Sequence, residues 1–224
     1  SGIGGGGFAL LWSARDKKSI VIDFRETAPA GIDAAVLDQR PVPPEKRGQT
    51  VGVPGEVAGL FELHQRYGKL TWRELVTRAA TLSARGFATE PHTAMQLADQ
   101  QKGLLASSPH FRSVYLPGGS AAKLGTQLRS PRLSKTLTRI AAEGKRGLYE
   151  GPVASDIVQA VKGAGGSLEL ADLANYRVVE REPLRVSWGG KQVLTMPPPS
   201  AGGLLLAETL SLFSPTELTA MNDA

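Results

Sequence analysis

A chain of 224 residues that is 41% hydrophobic can bury a sizeable core, as one large domain or two small ones. Having no cysteine, it has no disulfide, thiolate nucleophile or thiolate metal site, and no run approaches the roughly 18 consecutive apolar residues of a membrane helix, so it reads as soluble. The net charge of +5 is concentrated between Lys102 and Arg146, where nine Lys and Arg meet only Glu143; with no aromatics there beyond Phe111 and Tyr115 and no nucleic-acid-binding pattern, this reads as a solvated basic face and excludes nucleic acid as the expected partner.

The opening Ser1-Gly2-Ile3-Gly4 lacks an initiator Met and leads directly towards an apolar strand, so the chain is expected to be an internal piece of a longer protein. Residues 8–12 and 19–24 are rich in apolar and β-branched side chains and flank Ala14-Arg15-Asp16-Lys17, which predicts a hairpin. Residues 27–44 carry several Pro and Gly and predict a loop with at most a short helix. Pro54 in a first turn, Val57, Leu60, Phe61 and His64 at helical spacing, and Gly68 as a stop predict a helix over 54–67. Thr71 with Glu74 is a capping box for the next helix, which runs to Arg85 and stops at Gly86.

Further helices are predicted at 90–106, at 131–143 behind Ser130 and Pro131, and at 152–163 before Gly165-Gly166. After a short helical turn at 170–174, residues 176–196 alternate as strands around Gly189-Gly190, the signature of a tight hairpin. Pro197-Pro198-Pro199 must leave the sheet, and a last helix is predicted over 200–213. Together these elements make an α+β domain with strands near both ends and helices between.

Gly2, Gly4 and Gly7 match G-x-G-x-x-G, and Asp23 follows at nearly the spacing of a ribose-binding acid. That fingerprint works only where it links a strand to a helix, whose N-terminal amides hold a pyrophosphate; here a strand is predicted to follow, so the glycines are read as permitting close backbone approach. Ser1 is not read as a nucleophile. His64, His92 and His110 fall on different predicted elements without metal-ligand spacing, and no G-x-S-x-G elbow occurs. The informative stretch is Asp23-Phe24-Arg25-Glu26-Thr27-Ala28-Pro29, where a strand ends in charged residues. Its Arg25 is either an ion-paired structural residue or a bidentate clamp for a substrate carboxylate.

Seven stretches in order resemble the large-subunit motifs of γ-glutamyltransferases (γ-glutamyltranspeptidases). These are Ser1 through Phe8, Asp23 through Pro29, Gly52-Val53-Pro54-Gly55 with Gly59-Leu60, Tyr67-Gly68-Lys69-Leu70, Leu148-Tyr149-Glu150-Gly151, Asp172-Leu173-Ala174-Asn175-Tyr176, and Pro197 through Gly203. The departures are small: Leu148 stands where Phe is expected and Ala201 where a second Ser is usual.

The resemblance implies part of a four-layer αββα N-terminal-nucleophile hydrolase fold, with residues 1–224 a single incomplete domain of the large subunit. It implies a self-cleaving precursor, or zymogen, in which the new N-terminal Thr of a small subunit, outside this chain, attacks the γ-glutamyl carbonyl of glutathione or a related amide. Water or an acceptor amino acid or peptide resolves the acyl-enzyme, with no metal or other cofactor. No catalytic residue is then expected in this chain, which alone would be inactive. Arg25 matches the family's ligand for the substrate α-carboxylate, and Asp23 and Glu26 are expected to orient it. A periplasmic or secreted location is also implied. A β-lactam acylase, a poly-γ-glutamate-processing relative and a non-catalytic truncated homologue are the alternatives.

Overall fold

The computed structural model describes residues 2–103 and 109–222. The hairpin of β1 (Phe8–Ser13) and β2 (Lys18–Asp23) forms as predicted, with Phe8 opposite Asp23 and Ser13 opposite Lys18. The following loop holds one short helix, α1 (Ala34–Leu37), and a 3-10 segment, Pro44–Thr50. Helix α2 (Glu56–Tyr67) starts two residues later than predicted, because the Gly55 and Glu56 amides both donate to Gly5 O instead of entering it as a first turn. Helix α3 (Trp72–Arg85) opens on the predicted box: Thr71 Oγ1 accepts from Glu74 N at 3.2 Å while Glu74 Oε2 accepts from Thr71 N at 2.9 Å. It stops at Gly86, φ 86°.

Next come β3 (Phe87–Ala88), α4 (Pro91–Gln100), α5 (Pro109–Tyr115), β4 (Gln127–Leu128), α6 (Pro131–Glu143), α7 (Arg146–Tyr149) and α8 (Gly151–Gly163). The helix predicted over 90–106 is shorter: it gives way at Gln100 to a turn closed by Gly103 N on Gln100 O at 3.0 Å, and residues 104–106 lie outside those described. The chain ends in α9 (Leu170–Asn175), β5 (Val179–Arg181), β6 (Leu184–Trp188), β7 (Lys191–Thr195), α10 (Ala201–Leu212) and α11 (Pro215–Asn222). The run predicted as one strand before Gly189 is two. Pro183 has no N–H to continue a ladder, and the chain changes sheet there, β5 pairing with β2 and β6 with β7.

Contacts gather into two compact units, residues 1–67 with 155–224, and residues 68–154. In the first, β2 is the middle strand of the antiparallel order β1-β2-β5. Its Ile20 and Ile22, with Phe24 beyond it, pack on Ala9 and Leu11 of β1 and on Leu63 and Tyr67 of α2, while Val21 and Asp23 are buried on the opposite face. A continuous apolar run suits a strand covered on both faces. The β6–β7 hairpin turns through Gly189 and Gly190, both left-handed at φ 58° and 73°, which is the backbone of a type I′ turn.

In the second unit α3 packs on α6, whose Leu137, Ile140 and Ala141 form a buried stripe at helical spacing, and Trp72 Nε1 donates to Ile140 O at 2.8 Å. Leu97, Leu116, Ala122 and Leu128 make a separate small core around the two-residue ladder of β3 and β4, strands too short to register as an alternating pattern. The nine basic residues from Lys102 to Arg146 are solvent-exposed, Arg139 partly so.

Candidate functional site

Four of the singled-out stretches meet where Phe24-Arg25-Glu26 leaves β2. Gly7 extends the β1–β2 ladder by exchanging hydrogen bonds with Phe24, at 2.9 and 3.2 Å. A methyl group on Gly6 would overlap Phe24 O and lie 2.9 Å from Glu26 N, and one on Gly7 would lie 3.1 Å from the Phe24 ring, so these two glycines serve close approach, whereas Gly2 and Gly4 meet nothing within 4 Å; the strand that follows gives the run no helix N-terminus for a pyrophosphate. From the third stretch, Val53 pairs with Thr27 at 2.8 and 3.3 Å, and Gly55 leaves no room for a Cβ between Phe24 O and the Tyr176 hydroxyl. One turn on, Gly59 lies against the Phe24 ring. From the far end of the chain, Tyr176 Oη donates to Arg25 O at 2.8 Å and Asp172 Oδ1 accepts from Ala30 N at 3.0 Å.

Arg25 is therefore held by its main chain. Its amide donates to Asp23 Oδ1 at 3.0 Å and its carbonyl accepts from Tyr176, while its side chain stays 59% exposed. Asp23, almost fully buried, does not pair with the Arg25 guanidinium; its Oδ2 accepts from Arg181 Nε at 2.7 Å across the β2–β5 pair. Glu26 Oε2 lies 3.3 Å from Arg25 Nε, a half-exposed contact of the kind that contributes at most about 1 kcal/mol. Arg25 and Glu26 line an open cavity of about 940 Å³, together with Arg40 and the stretch from Gln49 to Gly52. That stretch is itself anchored: Gly48 N donates to Ala164 O at 2.7 Å, and Gln49 Oε1 accepts from Asp33 N and Ser167 Oγ. The three histidines sit on three different helices, and among the described residues no group of three His, Asp or Glu is arranged to hold a metal ion. Nor is any helix among them long and apolar enough to cross a membrane.

The family model described as gamma-glutamyltranspeptidase matches residues 1–224. The chain belongs to the gamma-glutamyltranspeptidase family. It is 36% identical to glutathione hydrolase 2 of Arabidopsis thaliana and 35% identical to the glutathione hydrolase proenzyme of Bacillus subtilis, matching 96% and 95% of its own length but 37% of theirs. Among solved structures it resembles the gamma-glutamyltranspeptidase of Helicobacter pylori with a TM-score of 0.86 at 31% identity, covering 94% of this chain and 61% of that one. The chain thus carries a portion of the N-terminal-nucleophile hydrolase fold, α+β and helix-rich, and spans little more than a third of its curated relatives' length.

Within this gamma-glutamyltranspeptidase portion, Tyr176, Asp172 and Arg181 are the neighbours of the Asp23–Ala30 segment that reading along the sequence missed. The only signal was the Asp172–Tyr176 motif itself, which carried no role. Burial of the Tyr176 hydroxyl, then the nearby negative charges of Asp23 and Glu26, push its pKa up to about 12. An unfolded tyrosine ionises near 10, so between about pH 10 and 12 the unfolded chain has lost a proton that the folded chain keeps. The stabilisation by the protonated Tyr176 is complete below about pH 10 and disappears as pH rises towards 12. Melting temperature is expected to fall more steeply over pH 10–12 in the wild type than in Tyr176→Phe; parallel profiles would contradict the shift.

Proposed function

We propose that this chain supplies the donor-recognition part of an enzyme that cleaves γ-glutamyl amides such as glutathione and transfers the γ-glutamyl group to water, an amino acid or a peptide. The observation that carries the reading is Arg25: main chain pinned on both sides, side chain free to reach into an open cavity, and only a weak ion pair to give up. A guanidinium so placed can grip the α-carboxylate of a γ-glutamyl group through two parallel hydrogen bonds. Holding that end fixes the γ-carbonyl several bonds away, so binding energy goes into orientation.

The reacting groups come from a small subunit of the same precursor. Its N-terminal Thr hydroxyl adds to the γ-carbonyl while the Thr α-amine accepts the hydroxyl proton, and the tetrahedral oxyanion is held by backbone amides of a Gly-Gly pair. The amine leaves with that proton, and water or an acceptor amine then releases the γ-glutamyl group from the ester. The precursor name of the B. subtilis relative supports a zymogen, and export to the periplasm or the medium belongs to the same reading.

The test is hydrolysis of a γ-glutamyl anilide by the complete reading frame after time for self-cleavage, with the 224-residue chain as control. Activity in the former and none in the latter is expected. Activity only on β-lactam acyl or poly-γ-glutamate substrates would move the acyl specificity elsewhere, and a full-length band with no cleavage and no turnover would make it a non-catalytic homologue.

A further inference from the structure

The motif from Asp172 to Tyr176 takes no part in the chemistry above, yet its Asp172 and Tyr176 side chains reach the two ends of the segment that carries Arg25. Tyr176 Oη donates to Arg25 O, and five residues on Asp172 Oδ1 accepts from Ala30 N. Midway, Thr27 exchanges two backbone hydrogen bonds with Val53. Residues 25, 27 and 30 are thus all tied through main-chain atoms.

The platform that makes these ties is rigid for reasons visible in its own sequence. Leu168 and Leu173 are fully buried. Asp172 Oδ2 accepts from Glu169 N at 2.8 Å, closing the first turn of α9, so one carboxylate both caps the helix and holds the loop. Tyr176 leaves the helix with its amide still on Leu173 O, its ring is almost fully buried, and the missing Cβ at Gly55 makes room for its hydroxyl. Neither side chain lines the cavity, so whatever they do there is done through Arg25.

We infer that Tyr176 and Asp172 are positioning residues that aim the Arg25 guanidinium at the donor's α-carboxylate by fixing the backbone on either side of it. This rests on Arg25 being the carboxylate ligand. Loss of either tie lets the segment sample orientations in which the fork misses the carboxylate, which weakens donor binding and leaves the acyl chemistry unchanged.

The experiment uses the complete, self-cleaved protein with two anilides: the γ-glutamyl compound, and the 4-aminobutyryl compound that lacks only the α-carboxylate. Tyr176→Phe, Asp172→Ala, Arg25→Ala and the Tyr176→Phe/Arg25→Ala double variant are compared. Tyr176→Phe is expected to raise KM for the γ-glutamyl anilide about tenfold, the scale of one lost hydrogen bond to a buried acceptor, with kcat within about twofold. Asp172→Ala should move KM the same way. Neither should change kcat/KM for the 4-aminobutyryl anilide, and the double variant should be no worse than Arg25→Ala alone.

A KM raised in Arg25→Ala but unchanged in Tyr176→Phe and Asp172→Ala would overturn the positioning role and leave Arg25 in place. Equal losses on both anilides would make the two residues merely structural. An Arg25→Ala protein with wild-type KM would remove the ligand, and the inference with it.

Discussion

Arg25→Ala is expected to raise KM for a γ-glutamyl donor about a hundredfold in the complete protein. Hydrogen bonds to charged groups contribute about 1.5–3 kcal/mol each, and a factor of a hundred corresponds to about 2.7 kcal/mol. One such bond plus the electrostatic attraction is sufficient. Arg25→Lys should fall between the two, since an ammonium keeps the charge and loses the planar fork. Folding is expected to survive both changes within about 0.5 kcal/mol, because the truncated side chain is largely exposed and the Asp23 and Tyr176 hydrogen bonds go to main-chain atoms that every residue has. Initial rates across donor concentration, with thermal melting alongside, test this; a wild-type KM would remove Arg25 from the binding site.

Gly55→Ala should have the largest effect on stability. The new methyl group would sit on Phe24 O and the Tyr176 hydroxyl, and the chain cannot back away without breaking the hydrogen bonds that Gly55 N and Glu56 N make to Gly5 O, at 2.8 and 2.9 Å. Overpacking costs about 1–3 kcal/mol, and displacing the tyrosine adds a lost hydrogen bond of about 1 kcal/mol. A total near 3 kcal/mol corresponds to a melting temperature lower by roughly 6–12 °C. Gly163→Ala is the control: nothing lies within 4 Å of its added Cβ, and a helical alanine in place of glycine should be neutral or slightly stabilising. Equal melting of the two variants would contradict the packing described around Phe24.

The local signals survive in the structure where chemistry acts over a few residues. Thr71 and Glu74 cap each other, Gly189 and Gly190 turn a hairpin, and the Gly run lies against a strand. What failed locally failed for local reasons too: Pro183 divides a run that reads as one strand, and β3 and β4 are too short to show alternation. The site was legible only in part. Arg25 stood out through its neighbours, but those neighbours act differently from what adjacency implies: Glu26 touches the guanidinium weakly, while Asp23 holds the Arg25 amide and spends its other oxygen on Arg181. Tyr176 and Asp172 could not be assigned along the chain at all, since hydrogen bonds over 142 and 151 residues leave no periodicity or spacing to detect.

Those long separations also set an order in time. The first compact unit is drawn from two stretches, residues 1–67 and 155–224, whereas residues 68–154 close their contacts among themselves. A ribosome adding about 5–20 residues per second takes roughly eight to thirty seconds to pass from Arg25 to Tyr176. Through that interval β2 has an unpaired edge, because β5 has not been made, and the buried Asp23 lacks its Arg181. The inserted stretch can be folded by then, while the Arg25 main chain, made 151 residues earlier, still waits for the Tyr176 hydroxyl that holds it.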